Sequence, residues 1–209
     1  MTGRKKISVV STKDSVFASA ASLFSSHGFN GVSTEDIARD ASVNKAMIYY
    51  HFADKLALYR AIVCEGLQAM GETVGAIAAS TQTPDKKLDA FVEAFVRMTE
   101  TRPWMPAIML REIAEGAPRL DPETLSHMRK VIEHFGAILL HGHQRGVFRA
   151  IHPVLAYESI IGPIIINAAR ERVANQPERR QLDMPMLVSI THEAVIGHMQ
   201  EAARRMLEP

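Results

Sequence analysis

The chain has 209 residues, 47% of them apolar, which is enough for a sizeable core and argues against a disordered chain. Its 24 Lys/Arg and 23 Asp/Glu leave a net charge of +1, too little to make electrostatics the whole of its chemistry. One cysteine, Cys64, excludes an intrachain disulfide, and the longest apolar run, residues 160–166, is too short for a bilayer and contains Gly162 and Pro163.

Charge is unevenly spread. Residues 1–60 carry eight Lys/Arg against five Asp/Glu, a net of +3, and the rest of the chain is −2. Residues 1–9, with Arg4, Lys5 and Lys6, read either as a frayed terminus or as a basic flexible arm. Ser11 or Thr12 caps a first helix whose stripe is Val16, Phe17, Ala20, Leu23 and Phe24, and Gly28 stops it. Ser33 caps the next helix in a capping-box arrangement with Asp36, and Ile37, Ala38 and Ala41 share one face. After Ser42 a second short helix, Asn44 to Tyr50, follows. Two short helices joined by a tight turn, neither stable alone, have the build of a helix-turn-helix over residues 33–52. One of the adjacent Tyr49 and Tyr50 is expected to face inward.

The stretch from Thr34 to Leu58 reads T-x-x-I-A-x-x-A-x-V-x-x-x-x-I-Y-Y-H-F-x-x-K-x-x-L. It resembles the DNA-binding motif of the tetracycline-repressor (TetR) family. The resemblance covers roughly the first third of the chain. It departs at Ser42, where that family usually has Gly at a turn position that often needs a left-handed backbone. On this reading Asn44, Lys45, Ala46, Met47 and Tyr49 face the major groove, with Lys45 bonding guanine or a phosphate. Tyr49, Tyr50 and His51 hold the sugar-phosphate backbone. Lys55, at the start of the next helix, forms a phosphate clamp with that helix's exposed N–H groups. The resemblance implies matching roles at Thr34, Tyr49, His51 and Lys55.

Asp54 caps a long helix to about Ser80, interrupted in composition by Gly66, Gly71 and Gly75, where bending would be unsurprising. Further helices are expected over 85–101, 107–115, 121–146, 153–173 and 186–206. The helix after Pro153 is apolar almost all round and should be covered on all sides, with a kink at Pro163. In the last helix the apolar positions are taken as Leu187, Ile190, Ala194, Val195, His198 and Ala202. His127, His134 and His141 recur every seven residues on one helix, too far apart for one metal ion, so no metal site or other cofactor is assigned.

The fold class is therefore all-α: a three-helix DNA-binding domain over 10–70 and a helical effector-binding and dimerisation domain over 71–209. Phe91, Phe95, Met98, Trp104, Met105, Met109 and Phe135 are candidates to line an apolar cavity, though each is also an ordinary core residue. Glu112, Arg111, His134 and Asn167 are candidates to orient a ligand. The last two helices form a plausible dimer face, as the resemblance also implies. The expected protein is a soluble, cytoplasmic homodimer that binds a palindromic operator in double-stranded DNA, most simply a repressor released by a small, largely apolar effector. The other readings are an activator or architectural protein without a small ligand, and a helical enzyme. No catalytic residues are assigned, since no nucleophile with a neighbouring base, metal motif or phosphate loop is present in the sequence.

Overall fold

The computed structural model describes residues 11–174 and 190–209, with side chains in the first segment described to residue 172. Among these residues all regular structure is helical, and the chain divides into two compact units, Met1–Ile62 and Val63–Pro209. The basic arm over 1–9, the stretch 175–189 and the expected start of the last helix at Met186 lie outside the described residues.

The first unit contains α1 (Thr12–His27), α2 (Thr34–Asp40), α3 (Lys45–Phe52) and the opening turns of α4 (Lys55–Ala79). Ser11 caps α1 by accepting the Asp14 N–H at 3.1 Å, and Ser33 and Asp36 close the expected capping box on α2. The core is Val16, Ala20, Ala21, Phe24, Ile37, Ile48, Phe52, Leu58, Tyr59 and Ile62. Phe24 and Phe29 each meet the Tyr59 ring edge-on at 5.1 Å between centroids. Since α4 supplies Leu58, Tyr59 and Ile62 to this core, the unit ends at residue 62, earlier than the 70/71 boundary read from the sequence.

The turn between α2 and α3 depends on Ser42. Its φ is 54°, in the left-handed region. That lets the Val43 N–H reach the Ala38 carbonyl at 2.9 Å and the Ser42 N–H reach that of Arg39 at 3.2 Å, the paired bonds of a Schellman ending. A serine here carries strain of about 1–2 kcal/mol that glycine would avoid.

The second unit holds the remainder of α4 with α5 (Pro84–Thr101), α6 (Met105–Glu115), α7 (Pro122–Gln144), α8 (Pro153–Ala174) and α9 (His192–Leu207). Helix α5 is central: it packs on α7, α8 and α9. Phe91 of α5 and Phe135 of α7, both fully buried, stack at 4.2 Å. Lys87, buried on α5, donates to the Ala78 carbonyl at 2.7 Å and so satisfies an orphan carbonyl at the end of α4.

Helix α4 runs unbroken through its glycines, and Gly66 marks close approach: a Cβ there would stand 3.0 Å from the Met105 sulfur and 3.2 Å from the tip of Trp104. Two expectations are corrected here. Helix α8 is buried along Ile160, Ile161 and Ile164, but Leu155 and Ile166 are 59% and 64% exposed, so it is not covered on all sides within one chain. In α9, which Thr191 caps, the buried stripe is Ile196, Met199, Ala203 and Leu207, whereas Ala194, His198 and Ala202 face outward. The larger apolar side chains took the side against α5, where burial removes more area from water.

Candidate DNA interface and ligand cavity

Helix α3 is fixed from beneath by Ile48 and Phe52, both buried. Asn44 caps it, its side-chain oxygen accepting the Ala46 N–H at 2.8 Å. The outward face then consists of Asn44, Ala46, Tyr49 and Tyr50, flanked by the half-buried Lys45 and Met47. Tyr49 is 46% exposed and Tyr50 79%, so neither tyrosine turns inward: Ile48 and Phe52 supply the core contacts. His51 is half-buried, its ring edge-on to Tyr50 at 4.9 Å, and its Nε2 has no hydrogen-bond partner.

Polar groups on α2 and α3 form one connected set. Lys45 is ion-paired to Glu35, with its ammonium 5.7 Å from the centre of the Tyr49 ring. The buried Thr34 hydroxyl donates to Glu35 at 3.1 Å and lies 3.4 Å from the Tyr49 hydroxyl. Glu35 is held below the usual carboxylate range, first by its bond from Lys45 and then by backbone and Thr34 donors, and it raises the Lys45 ammonium in turn. Both groups are therefore charged at neutral pH.

Lys55, expected from the sequence to clamp phosphate, is held by the backbone of its own unit. Its ammonium donates to the carbonyls of Phe29 at 3.1 Å and Val32 at 2.9 Å and lies 4.2 Å from the centre of the Phe29 ring. It ties the loop after α1 to the start of α4. Asp54, just before it, caps α4 by accepting the Ala57 N–H at 2.7 Å.

The second unit holds a partly open apolar cavity of about 240 Å³. Its wall includes Phe95 and Met98 of α5 and Met105 and Met109 of α6, as the sequence suggested. Met70, Met128, Tyr157, Ile161 and Ile165, from α4, α7 and α8, complete much of the rest. The other candidates lie elsewhere. Phe91 and Phe135 are stacked core, and Trp104 stands beside Gly66. Glu112 is fully buried and paired with Arg119 at 2.8 Å. His134 packs against Gly75, and Asn167 bonds Arg170 and Glu171 on its own helix. Arg111 is half-buried and off the cavity wall. The wall residues absent from the sequence candidates include Tyr157, whose signal was a tyrosine among the isoleucines of α8.

An exposed second helix set on a buried three-helix scaffold defines a helix-turn-helix DNA-binding protein. Residues 16–62 match the model of the bacterial regulatory proteins of the tetR family. The chain is 27% identical to YttP, a probable HTH-type transcriptional regulator of Bacillus subtilis strain 168, over 157 residues, 73% of this chain and 76% of that one. It is similar to PfmR, a TetR family transcriptional regulator of Thermus thermophilus, with TM-score 0.71 and 25% identity over 93% of this chain and 99% of that one. KstR2 of Mycobacterium tuberculosis shares the fold at TM-score 0.75 and 19% identity, over 96% and 97% of the two chains. Residues 16–62 thus match the DNA-binding domain of tetR-family regulatory proteins, and the described chain shares the fold of TetR family transcriptional regulators. Among the described residues no helix is long and apolar enough to cross a membrane.

Proposed function

We propose that the protein is a dimeric repressor that leaves a palindromic operator when a small, largely apolar molecule fills the cavity of the second unit. The observation that carries this reading is the cavity itself. It is walled by five methionines, Met70, Met98, Met105, Met109 and Met128, whose flexible thioethers adapt to a guest. Ligand and operator weaken each other's binding by the same factor, as linkage requires.

In this reading α3 enters the major groove through Ala46, Met47 and Tyr49, and Lys45 reads guanine or phosphate. Tyr50 and His51 hold the backbone, together with the first N–H groups of α4. Two copies pair through α8 and α9. The support is the exposed Leu155 and Ile166 on α8, with the small outward residues Ala194, Gly197 and Ala202 on α9, which let helices approach closely. One reader contacts few base pairs; two related by a twofold axis read half-sites roughly 34–36 Å apart.

Selection of bound fragments from random DNA tests the reading. The expected product is an inverted repeat held by a dimer in light-scattering measurements. Retention of a single unrepeated site by a monomer would sink it.

A further inference from the structure

Tyr157 sets the chemistry of the cavity. Its ring is fixed by edge-on neighbours, with centroids 5.8 Å from Phe95, 6.1 Å from Phe135 and 6.3 Å from Phe91. It lines the cavity, and among the described residues its hydroxyl makes no hydrogen bond. Tyr157 is half-buried, so this hydroxyl is left to bond water or an acceptor on whatever molecule fills the space. Burial pushes this phenol well above its ordinary range, so it stays a neutral donor at physiological pH.

The rest of the wall narrows the partner further. The only charged wall residue among those described is Glu158, a carboxylate; no Lys, Arg or His lines the space. A carboxylate or phosphate guest meets no cation on the described wall and shares the space with the Glu158 carboxylate, and a charge without a partner is disfavoured against apolar side chains. The volume, about 240 Å³, exceeds the roughly 150 Å³ of an engineered apolar cavity that accepts benzene and lies below the roughly 300–1,000 Å³ of drug-sized pockets.

From the Tyr157 hydroxyl, which has no partner among the described residues, in an apolar cavity whose described wall holds no cation, we infer that the ligand is a compact, uncharged, mainly hydrocarbon molecule with one hydrogen-bond acceptor, and that Tyr157 donates to it. This rests on the effector reading above and names its ligand class. Carboxylate surfactants and free fatty acids are the class the site rejects.

Calorimetric titration of the full chain with ethylbenzene, acetophenone and benzoate tests this. Acetophenone is expected to bind tightest and benzoate at least tenfold more weakly. Tyr157→Phe should weaken acetophenone about three- to tenfold, the size of one net neutral hydrogen bond, and leave ethylbenzene unchanged. Gly162→Leu serves as the blocking control. Gly162 is on the wall, and a Cβ there meets nothing within 4 Å, so the added side chain fills space without a backbone clash. It should weaken both neutral probes. Benzoate matching acetophenone, or Tyr157→Phe leaving acetophenone unchanged, overturns the ligand class. Probes binding Gly162→Leu as well as the parent chain overturns the site. Should the titrations run as expected while acetophenone leaves the retention of selected operator unaltered, the effector reading fails and the chemistry of the cavity stands.

Discussion

Glu35 of α2 holds the ammonium of Lys45 of α3, and so a carboxylate neutralises the one cation that projects from the start of the second reading helix. The pair is largely exposed, with 61% of the Glu35 side chain and 41% of the Lys45 side chain open to solvent, and it contributes little to stability. Its importance lies in the field met by DNA. A negative group beside the reading helix repels phosphate and competes for Lys45.

Glu35→Gln should therefore tighten binding to operator and unrelated duplex alike. If the freed Lys45 takes one further phosphate, the plot of log affinity against log salt steepens by about 0.9. Filter binding across a salt series measures both quantities. An unchanged slope with unchanged affinity would show that Lys45 already leaves Glu35 at no cost when DNA arrives.

Lys55 leads to the opposite expectation. Its charge is directed at the Phe29 and Val32 carbonyls, so removing it leaves two acceptors without their donor. Lys55→Met keeps the stem that packs on Phe29 and deletes only the ammonium. Loss of about 1–2 kcal/mol of head stability follows, since bonds to a charged donor are stronger than neutral ones. Thermal melting should detect it, while the salt dependence of DNA binding stays as in the parent. A flattened salt slope with unaltered melting would instead make Lys55 a phosphate ligand.

Acid should loosen α2 through its capping box. Asp36 accepts from the Ser33 hydroxyl and, at 3.0 Å, from the Ser33 N–H, and these bonds, the side-chain one first, hold its carboxyl below the ordinary range. A carboxyl whose pKa is lower in the folded state stabilises above the unfolded pKa, and that contribution disappears as pH falls through the folded one. Comparison of urea midpoints for the parent and Asp36→Asn isolates the effect. The parent's advantage should be constant near neutrality and shrink once pH drops below about 4, the ordinary Asp value. A difference that persists undiminished into strong acid would mean that the cap works without its charge.

Much of the first unit was legible because its signals are local. The Ser33–Asp36 box and the turn at Ser42 are each readable within a few residues, and the TetR-like pattern spans them. The partners of Lys55 were not legible because they are backbone carbonyls in another part of the chain, which no side-chain pattern reveals. In α9 two stripes, one through Ala194, His198 and Ala202 and the other through Ile196, Met199, Ala203 and Leu207, both follow helical spacing. Periodicity cannot choose between them, and side-chain size does. The cavity wall was half legible for a related reason: a stripe such as Phe91, Phe95 and Met98 announces burial, but whether a position meets a neighbour or a void depends on the helix opposite.

The end of α7 shows how a glycine can be required by a neighbour's ring. The Val147 N–H bonds the Gly142 carbonyl at 2.9 Å and the Gly146 N–H that of His143 at 3.0 Å, closing the helix with Gly146 at φ 71°. The chain folds back, and the buried Phe148 ring lies flat in the notch where Gly142 has no side chain. A Cβ on Gly142 would stand 2.6 Å from the ring's Cγ and closer still to Cδ2 and Cε2. Gly142→Ala must displace that ring. Overpacking of this kind costs about 1–3 kcal/mol, against roughly 1 kcal/mol that alanine returns as a better helix former. A net loss of up to about 2 kcal/mol is expected, read as a lower urea midpoint. In a Phe148→Ala background the clash is gone, so the same Gly142→Ala change should become neutral or stabilising. Equal destabilisation in both backgrounds would place its cause in the helix backbone rather than in the ring, because residues that do not interact behave additively.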